Sequence, residues 1–270
     1  MDFSGHLHLE AAPRADGRTV LSRQSFRAPF HVGKAYWDGR VLQVRIVNPT
    51  AGILAGDRLE LAVRVGTGAS LLAMTPAATR AFMMQSGAAE CRQTFVVEAG
   101  GWLEYEPEPL CPHAGCDYRQ STRIEVAENG EACWVDTLAP GRVGRDEIFA
   151  WRRLRLALDV FYAGEPVLCE RLDHEGAEMA RAAAFHGTPG AWLVTALVLS
   201  ERIALEDPVW NLVRALHGGG RWVGVTRLRR GGWIIRAVVP GGQEVRDLLA
   251  ELRGILATVL PGLRSDLRKV

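Results

Sequence analysis

Between Arg40 and Arg155 one pattern recurs: a short segment alternating apolar and polar residues, then a stop of Gly, Pro or Asn. Val41-Leu42-Gln43-Val44-Arg45-Ile46-Val47 halts at Asn48-Pro49, and Arg58-Leu59-Glu60-Leu61-Ala62-Val63-Arg64-Val65 at Gly66-Thr67-Gly68. Ala69 to Met74, Gln93 to Glu98 and Trp102 to Glu106 follow the same rule. Thr122 to Val126 and Ala132 to Asp136 flank a turn at Asn129-Gly130. A period of two places alternate side chains on opposite faces of a strand, so this region is expected to form many short strands with one buried face. No strand–helix–strand rhythm interrupts it, which argues against a doubly wound sheet. The chain is therefore expected to be mainly β, antiparallel or solenoidal. Its 29 glycines and 13 prolines in 270 residues are spread along the length and suit many turns rather than one linker, so residues 1–270 are expected to form a single domain.

Two segments change period. Asp207-Pro208-Val209-Trp210-Asn211-Leu212-Val213-Arg214-Ala215-Leu216 has a capping Asp, a Pro suited to a first helical position, and a stop at Gly218-Gly219-Gly220. Val245, Leu248, Leu249, Leu252, Ile255, Leu256, Val259 and Leu260 recur at steps of three and four and predict an amphipathic C-terminal helix ended by Pro261. Between them, Trp222–Arg227 and Gly232–Val239 read as a hairpin around Arg229-Arg230-Gly231.

Charge and composition remove several function classes. Lys and Arg total 32 against 31 Asp and Glu, so the chain lacks the basic field of a nucleic-acid binder. No run reaches the ~20 apolar residues of a membrane span, and the first residues lack the basic and apolar regions of a secretory signal, so a cytoplasmic location is expected. Five cysteines, an odd number, read as reduced thiols. Gly-x-Ser-x-Gly, Gly-Lys-Ser/Thr and His-Glu-x-x-His are all absent.

The residues with chemical potential are few. Cys111-Pro112-His113-Ala114-Gly115-Cys116 offers two thiols and an imidazole to a soft or borderline cation, or else two small buried cysteines around a turn histidine. Glu104, Glu106 and Glu108 share one face of a strand, either to hold a cation or to meet solvent. His6 and His8 also alternate onto one face, within a segment expected to be frayed. Gly52-Ile53-Leu54-Ala55-Gly56-Asp57 reads as a tight turn needing glycine at Gly52 and Gly56, with a strand beginning at Asp57.

In order along the chain, several motifs resemble the UreD (UreH) family of urease accessory proteins. Asn48-Pro49-Thr50-Ala51-Gly52-Ile53-Leu54-Ala55-Gly56-Asp57-Arg58-Leu59 is similar to its Pro-x-Gly-Gly-Ile-x-x-Gly-Asp-x-Leu segment. Gly68 to Arg80, which includes Thr75, resembles Gly-Ala-x-Ala-x-x-Thr-Thr-x-x-Ala-Thr-Lys/Arg. Leu103-Glu104-Tyr105-Glu106-Pro107-Glu108-Pro109 matches a Leu-Glu-Trp/Tyr-Leu-Pro segment, and Gly141-Arg142 with Glu147-Ile148-Phe149 matches Gly-Arg-x-x-x-Gly-Glu-x-Phe. The likeness spans about residues 20 to 260. Thr50-Ala51, Met74 and Asp146 depart from the pattern, and the tail Leu267-Arg268-Lys269-Val270 lacks an aromatic residue.

The resemblance implies a bent, β-helical, solenoid-like fold with a few helices and a non-catalytic role in urease maturation. It implies binding to UreF, through UreF to the GTPase UreG, and to apo-urease, with Ni²⁺ in transit and no tightly bound cofactor. On that reading Asp57, Glu104, Glu108, His113 and Glu147 line the nickel path, with Cys111 and Cys116 as further transient ligands, and Arg142 is a structural or interface residue. Trp222, Trp233 and the terminal helix, with Leu249 and Leu252, form a candidate docking surface. The competing expectations are a zinc-dependent hydrolase built on Cys111, His113 and Cys116, and a β-solenoid adaptor of a pathway without urease.

Overall fold

The computed structural model describes residues 4–185 and 187–266, so the tail read above at residues 267–270 lies outside the described residues. The chain opens with an antiparallel hairpin, β1 (Ser4–Pro13) and β2 (Thr19–Arg27). Two short strands, β3 (His31–Val32) and β4 (Tyr36–Asp38), pair antiparallel with β5 (Val41–Val47). From β5 the path coils. It crosses to a facing sheet as β6 (Arg58–Val65), returns as β7 (Ser70–Met74), turns a short third side at β8 (Thr79–Ala81), and crosses again as β9 (Ala89–Val97). The next coil is β10 (Trp102–Glu106), β11 (Leu110–Pro112) and β12 (Asp117–Val126). The last is β13 (Glu131–Leu138), a two-strand corner of β14 (Gly141–Arg142) and β15 (Glu147–Ile148), and β16 (Arg153–Tyr162).

Successive coils stack in parallel, β5, β7, β10 and β13 in one sheet and β6, β9, β12 and β16 in the other. The expected solenoid is therefore present. The Asn129-Gly130 turn, with Asn129 at φ +61°, joins strands of different sheets rather than a hairpin. Antiparallel strands finish both ends of the stack. β17 (Glu165–His174) pairs with β16, while β18 (Trp192–Leu199), β20 (Gly232–Val239) and β19 (Trp222–Arg227) extend the other sheet beyond β13.

Alternation decides what each strand buries. Parallel register aligns Val63, Phe95, Ile124 and Val160 into one inward row and Leu42, Leu71, Leu103 and Ala132 into another, and both rows sit in the main core between the sheets. The outer face of the second sheet is also covered. Trp102, Cys133, Val135, Ala196, Val198, Trp233 and Ile235 meet two helices, α2 (Val209–Ala215) and α3 (Gly242–Leu256). In α3, Val245, Leu248, Leu252 and Leu256 are buried at steps of three and four, as predicted. Trp210 of α2 stacks on Trp233 with ring centroids 4.0 Å apart. The Asp207 carboxylate accepts the Val209 N–H at 2.9 Å, so the predicted capping chemistry is present two residues before the regular helix begins.

Three expectations are corrected. His6 and His8 do not lie in a frayed end: β1 is an interior strand, antiparallel to β2 and parallel to β6. His6 Nε2 lies 2.9 Å from Ser25 Oγ and His8 Nε2 3.2 Å from Glu60. A helix that the periodicity did not suggest, α1 (Gly176–Phe185), follows β17. Finally, the terminal helix with Leu249 and Leu252 applies its apolar stripe to the chain's own sheet rather than leaving it open for a partner, and Trp233 is core; Trp222 alone of that set is half-exposed.

Two glycine positions behave as read. A Cβ on Gly52 would sit 2.6 Å from the Arg80 carbonyl oxygen and 2.6 Å from the Phe82 ring, and Gly56 has φ +84°. Asp146, which stands where the resembled motif has Gly, has φ +55°, a conformation that Asp tolerates better than most residues. Gly52→Ala is accordingly expected to cost about 2 kcal/mol or more, and Asp146→Gly to be neutral or stabilising by up to about 1 kcal/mol. Urea midpoints of the two variants check both signs.

Candidate functional site

Coil stacking puts like positions of successive strands side by side, so a polar residue placed in phase with the core is forced inside. This occurs at one level of the solenoid. On the first sheet the inward row Leu59–Cys91–Gln120–Leu156 lies beside Leu61–Gln93–Thr122–Leu158. The apolar members sit at the outer coils and the polar ones in the middle two. Facing them from the second sheet are Tyr105, Trp134 and Asp136. Together they enclose a cavity of about 110 Å³, room for several waters. Its mouth is framed by Thr50, Ala77, Arg80 and Glu108.

The lining is a connected polar network. Tyr118 donates its hydroxyl to Gln120 Oε1 at 3.1 Å, Gln120 Nε2 reaches Asp136 Oδ2 at 3.4 Å, and Thr122 donates to Gln93 Oε1 at 3.1 Å. Burial pushes the Cys91 thiol up to about 11 and raises both Tyr105 and Tyr118, so these groups are neutral donors near pH 7. Burial also pushes the Asp136 carboxyl up to about 6, against the Thr137 backbone N–H and Gln120, which stabilise the anion. Asp136 makes no ion pair among the described residues. At neutral pH the chamber's interior thus holds the Asp136 carboxylate, amide oxygens and hydroxyls, with Arg80 and Glu108 at its mouth. That donor set suits weak, exchangeable coordination of a hard or borderline divalent ion and contains no nucleophile–base pair.

A second cavity, about 510 Å³, opens between β17 and β20 and is lined by Leu158, Glu170, Thr195 and Arg236. Gln120, Trp134 and Asp136 line both cavities, so they form the wall common to the two.

The residues singled out in the sequence fall in four separate places. Asp57 locks its own turn: its carboxylate accepts the Leu54 N–H at 2.8 Å. Glu104 lies under α3, where Arg253 meets it with Nε 2.7 Å from Oε1 and Nη2 3.2 Å from Oε2. Glu106 shares that buried face, so neither acid meets solvent. Glu108 stands at the cavity mouth, its N–H donating to Thr75 Oγ1 at 2.8 Å. Glu147 is clamped by Arg142 Nε at 2.8 Å and by its Nη2, and accepts the Ala114 N–H at 3.1 Å, tying the third-side loop to the corner. The Arg142 hydrogen bonds hold the Glu147 carboxyl below the usual range.

His113 is buried with its ring edge-on to Phe82 at 4.8 Å, and burial lowers its pKa, with Arg142 adding to the effect. Cys111 is half-buried, and burial pushes the buried Cys116 thiol up to about 12. Among the described residues no group of three or more His, Cys, Asp and Glu is arranged to hold a metal ion. The Cys111–His113–Cys116 centre expected for a hydrolase is therefore not assembled, because the strand and turn carrying it direct these side chains into packing. All five cysteines are free thiols.

Sequence reading missed Asp136, Gln120, Gln93 and Cys91. A signal was present: Asp136 is in phase with the inward Trp134, and Gln93 with Phe95, so each is a polar residue on an otherwise apolar face.

Residues 4–270 match the family described as UreD urease accessory protein. The chain is similar to "Urease accessory protein UreD" of Opitutus terrae, 48% identical over 100% of both chains. It is similar to "Urease accessory protein UreD 1" of Saccharopolyspora erythraea, 32% identical over 94% of this chain and 95% of the relative. It is also similar to "Urease accessory protein UreD" of Herpetosiphon aurantiacus, 28% identical over 94% and 88%.

The Glu104–Arg253 pair makes a sharp expectation. Glu104→Ala strands a buried guanidinium and should cost about 3–5 kcal/mol, whereas Glu104→Leu with Arg253→Met should recover most of that loss. Denaturant unfolding of the single and double variants checks it, and any loss of function in Glu104→Ala is expected to track the unfolded fraction.

Proposed function

The chain belongs to the UreD urease accessory protein family, and from that premise we propose that it carries Ni²⁺ through its interior toward apo-urease. It is a urease maturation factor and not the catalyst. In the proposed assembly it binds UreF, which docks the GTPase UreG, and the whole engages apo-urease. Half-exposed Trp222, edge-on to His217, is the docking candidate that remains once α3 is assigned to the core.

One observation carries the transport reading: Asp136 is a half-buried carboxylate without an ion-pair partner among the described residues, on the wall common to two cavities. Leaving such a charge uncompensated weakens the fold, and a passing divalent cation supplies the missing charge. Gln93, Gln120 and Cys91 line the same cavity and offer an ion weak neutral ligands, and weak ligands release what they bind. Glu108 at the mouth gives the ion its first carboxylate. Asp57, His113, Glu147, Cys111 and Cys116 hold the turns and third side that frame this path.

The pH dependence follows from Asp136. Its folded pKa, about 6, lies above the ordinary 3.8, so the protein carries no penalty below pH 4, gains one as pH rises toward 6, and keeps it above. That penalty is about 3 kcal/mol at neutral pH. Asp136→Asn is thus expected to be more stable than wild type by up to about 3 kcal/mol at pH 7.5, and by nothing near pH 4. In reconstitution with UreF, UreG, apo-urease and Ni²⁺, the same variant is expected to lower activation by about tenfold or more. Nickel loading of the wild type should weaken as pH falls below 6. Full activation by a stable, folded Asp136→Asn protein overturns the reading.

A further inference from the structure

Asp136 is not the last charged group on its row. Cross-strand register places it beside Thr195 of β18, and Thr195 beside Arg236 of β20. Neighbouring strands are ~4.8 Å apart, so Arg236 lies about 10 Å from Asp136 along one continuous inward face. The phase of β20 confirms the direction, since Ile234, two residues earlier, is in the core between the sheets. From the opposite sheet Glu170, on β17, is in phase with Leu168 and Leu172 and opposite Leu158. Glu170 and Arg236 form an ion pair across the gap between the two sheets, at the opening of the second cavity.

A guanidinium here is unexpected for a simple conduit. A cation leaving the chamber past Thr195 runs directly into fixed positive charge, which also occupies the one carboxylate at that opening. Cys169, Arg171 and His174 of β17 also line this cavity; Arg171 is paired with Asp159, and none of the three adds a carboxylate there.

Building on the transport reading, we infer that Arg236 decides how a cation leaves the chamber: while Glu170 holds it, the opening between β17 and β20 is closed to positive charge. The mouth framed by Glu108 and Arg80 is then the remaining route, until a partner's acidic group, or a rearrangement of β17, takes Arg236 away from Glu170. Arg236 acts here as a selecting residue that touches the path, and Glu170 positions it.

Charge-selective thiol labelling reads this without nickel. Thr195→Cys is made in full-length protein with Cys169→Ser, which removes the exposed natural thiol; Cys91, Cys116 and Cys133 are buried with raised pKa values. A cationic and a neutral methanethiosulfonate of similar size are compared by site-resolved mass spectrometry. With Arg236 the cationic reagent is expected to react about tenfold more slowly than the neutral one. Arg236→Gln should abolish the difference and Arg236→Lys keep most of it. A ratio unchanged by Arg236→Gln overturns the inference, because Arg236 is then only a brace between the sheets. The two readings fail separately. Loss of charge selection in Arg236→Gln with normal urease activation by Asp136→Asn keeps the barrier and removes the nickel path. Impaired activation by Asp136→Asn with no change in selection does the reverse.

Discussion

Parallel stacking of successive coils governs everything else in this molecule. In an antiparallel meander, inward residues of neighbouring strands can be offset by adjusting a turn. Here β6, β9, β12 and β16 run in lockstep, so each inward side chain rests on the one at the same level of the coil below. Rows are therefore the unit of core design. Val63, Phe95, Ile124 and Val160 make a row that excludes water, whereas Cys91 and Gln120, beside Gln93 and Thr122, make one that does not. The chamber needs no special loop or inserted domain. It is what the register yields when two adjacent coils carry polar residues in phase with the core.

A stack of coils has two open ends and two sheet faces to protect. The hairpin of β1 and β2 extends the first sheet at one end, and β17 closes its other edge. The second sheet is longer, and its far half would expose Trp102, Val135, Val198 and Trp233 without α2 and α3. The terminal helix is thus structural: Arg253 reaches from it to Glu104 and also to the Ser265 carbonyl, pinning the chain's last described residues against the sheet. The gap between β17 and β20 is where Glu170 and Arg236 meet.

Much of this was legible in the sequence. Alternation marked the strands from β5 onward, the steps of three and four marked α3, and the Gly52–Asp57 turn was readable as a place where a Cβ does not fit. What escaped reading escaped for physical reasons. Period two is the same for parallel and antiparallel pairing, so the stacking order is not local information. The partner of Glu104 lies 149 residues away on a helix, and a carboxylate on an alternating strand looks solvated until that helix is placed. α1 is alanine-rich with a weak apolar stripe, and nothing in its periodicity separates it from a loop. Cys111, His113 and Cys116 are close in sequence, but β11 ends at Pro112, His113 packs edge-on to Phe82 and Cys116 is buried, so proximity in the chain did not become a shared site.

Glu104 and Asp136 show how two carboxylates facing the interior acquire opposite meanings. Glu104 is almost wholly buried, and its charge is matched by a guanidinium in a two-point geometry, so its loss is a loss of structure. Asp136 is only half-buried, and its contacts are an amide and a backbone N–H. A fold selected for stability alone would place a neutral residue at Asp136, as it does at Leu59 and Leu156 on the facing sheet. Retaining an acid whose ionisation the fold resists makes sense where an ion from outside completes the charge and then departs. Arg236, two strands along the same face, is already committed to Glu170 and too distant to serve as that partner. The chamber thus keeps a carboxylate that no ion pair among the described residues neutralises, while its far opening carries a pair already closed on itself.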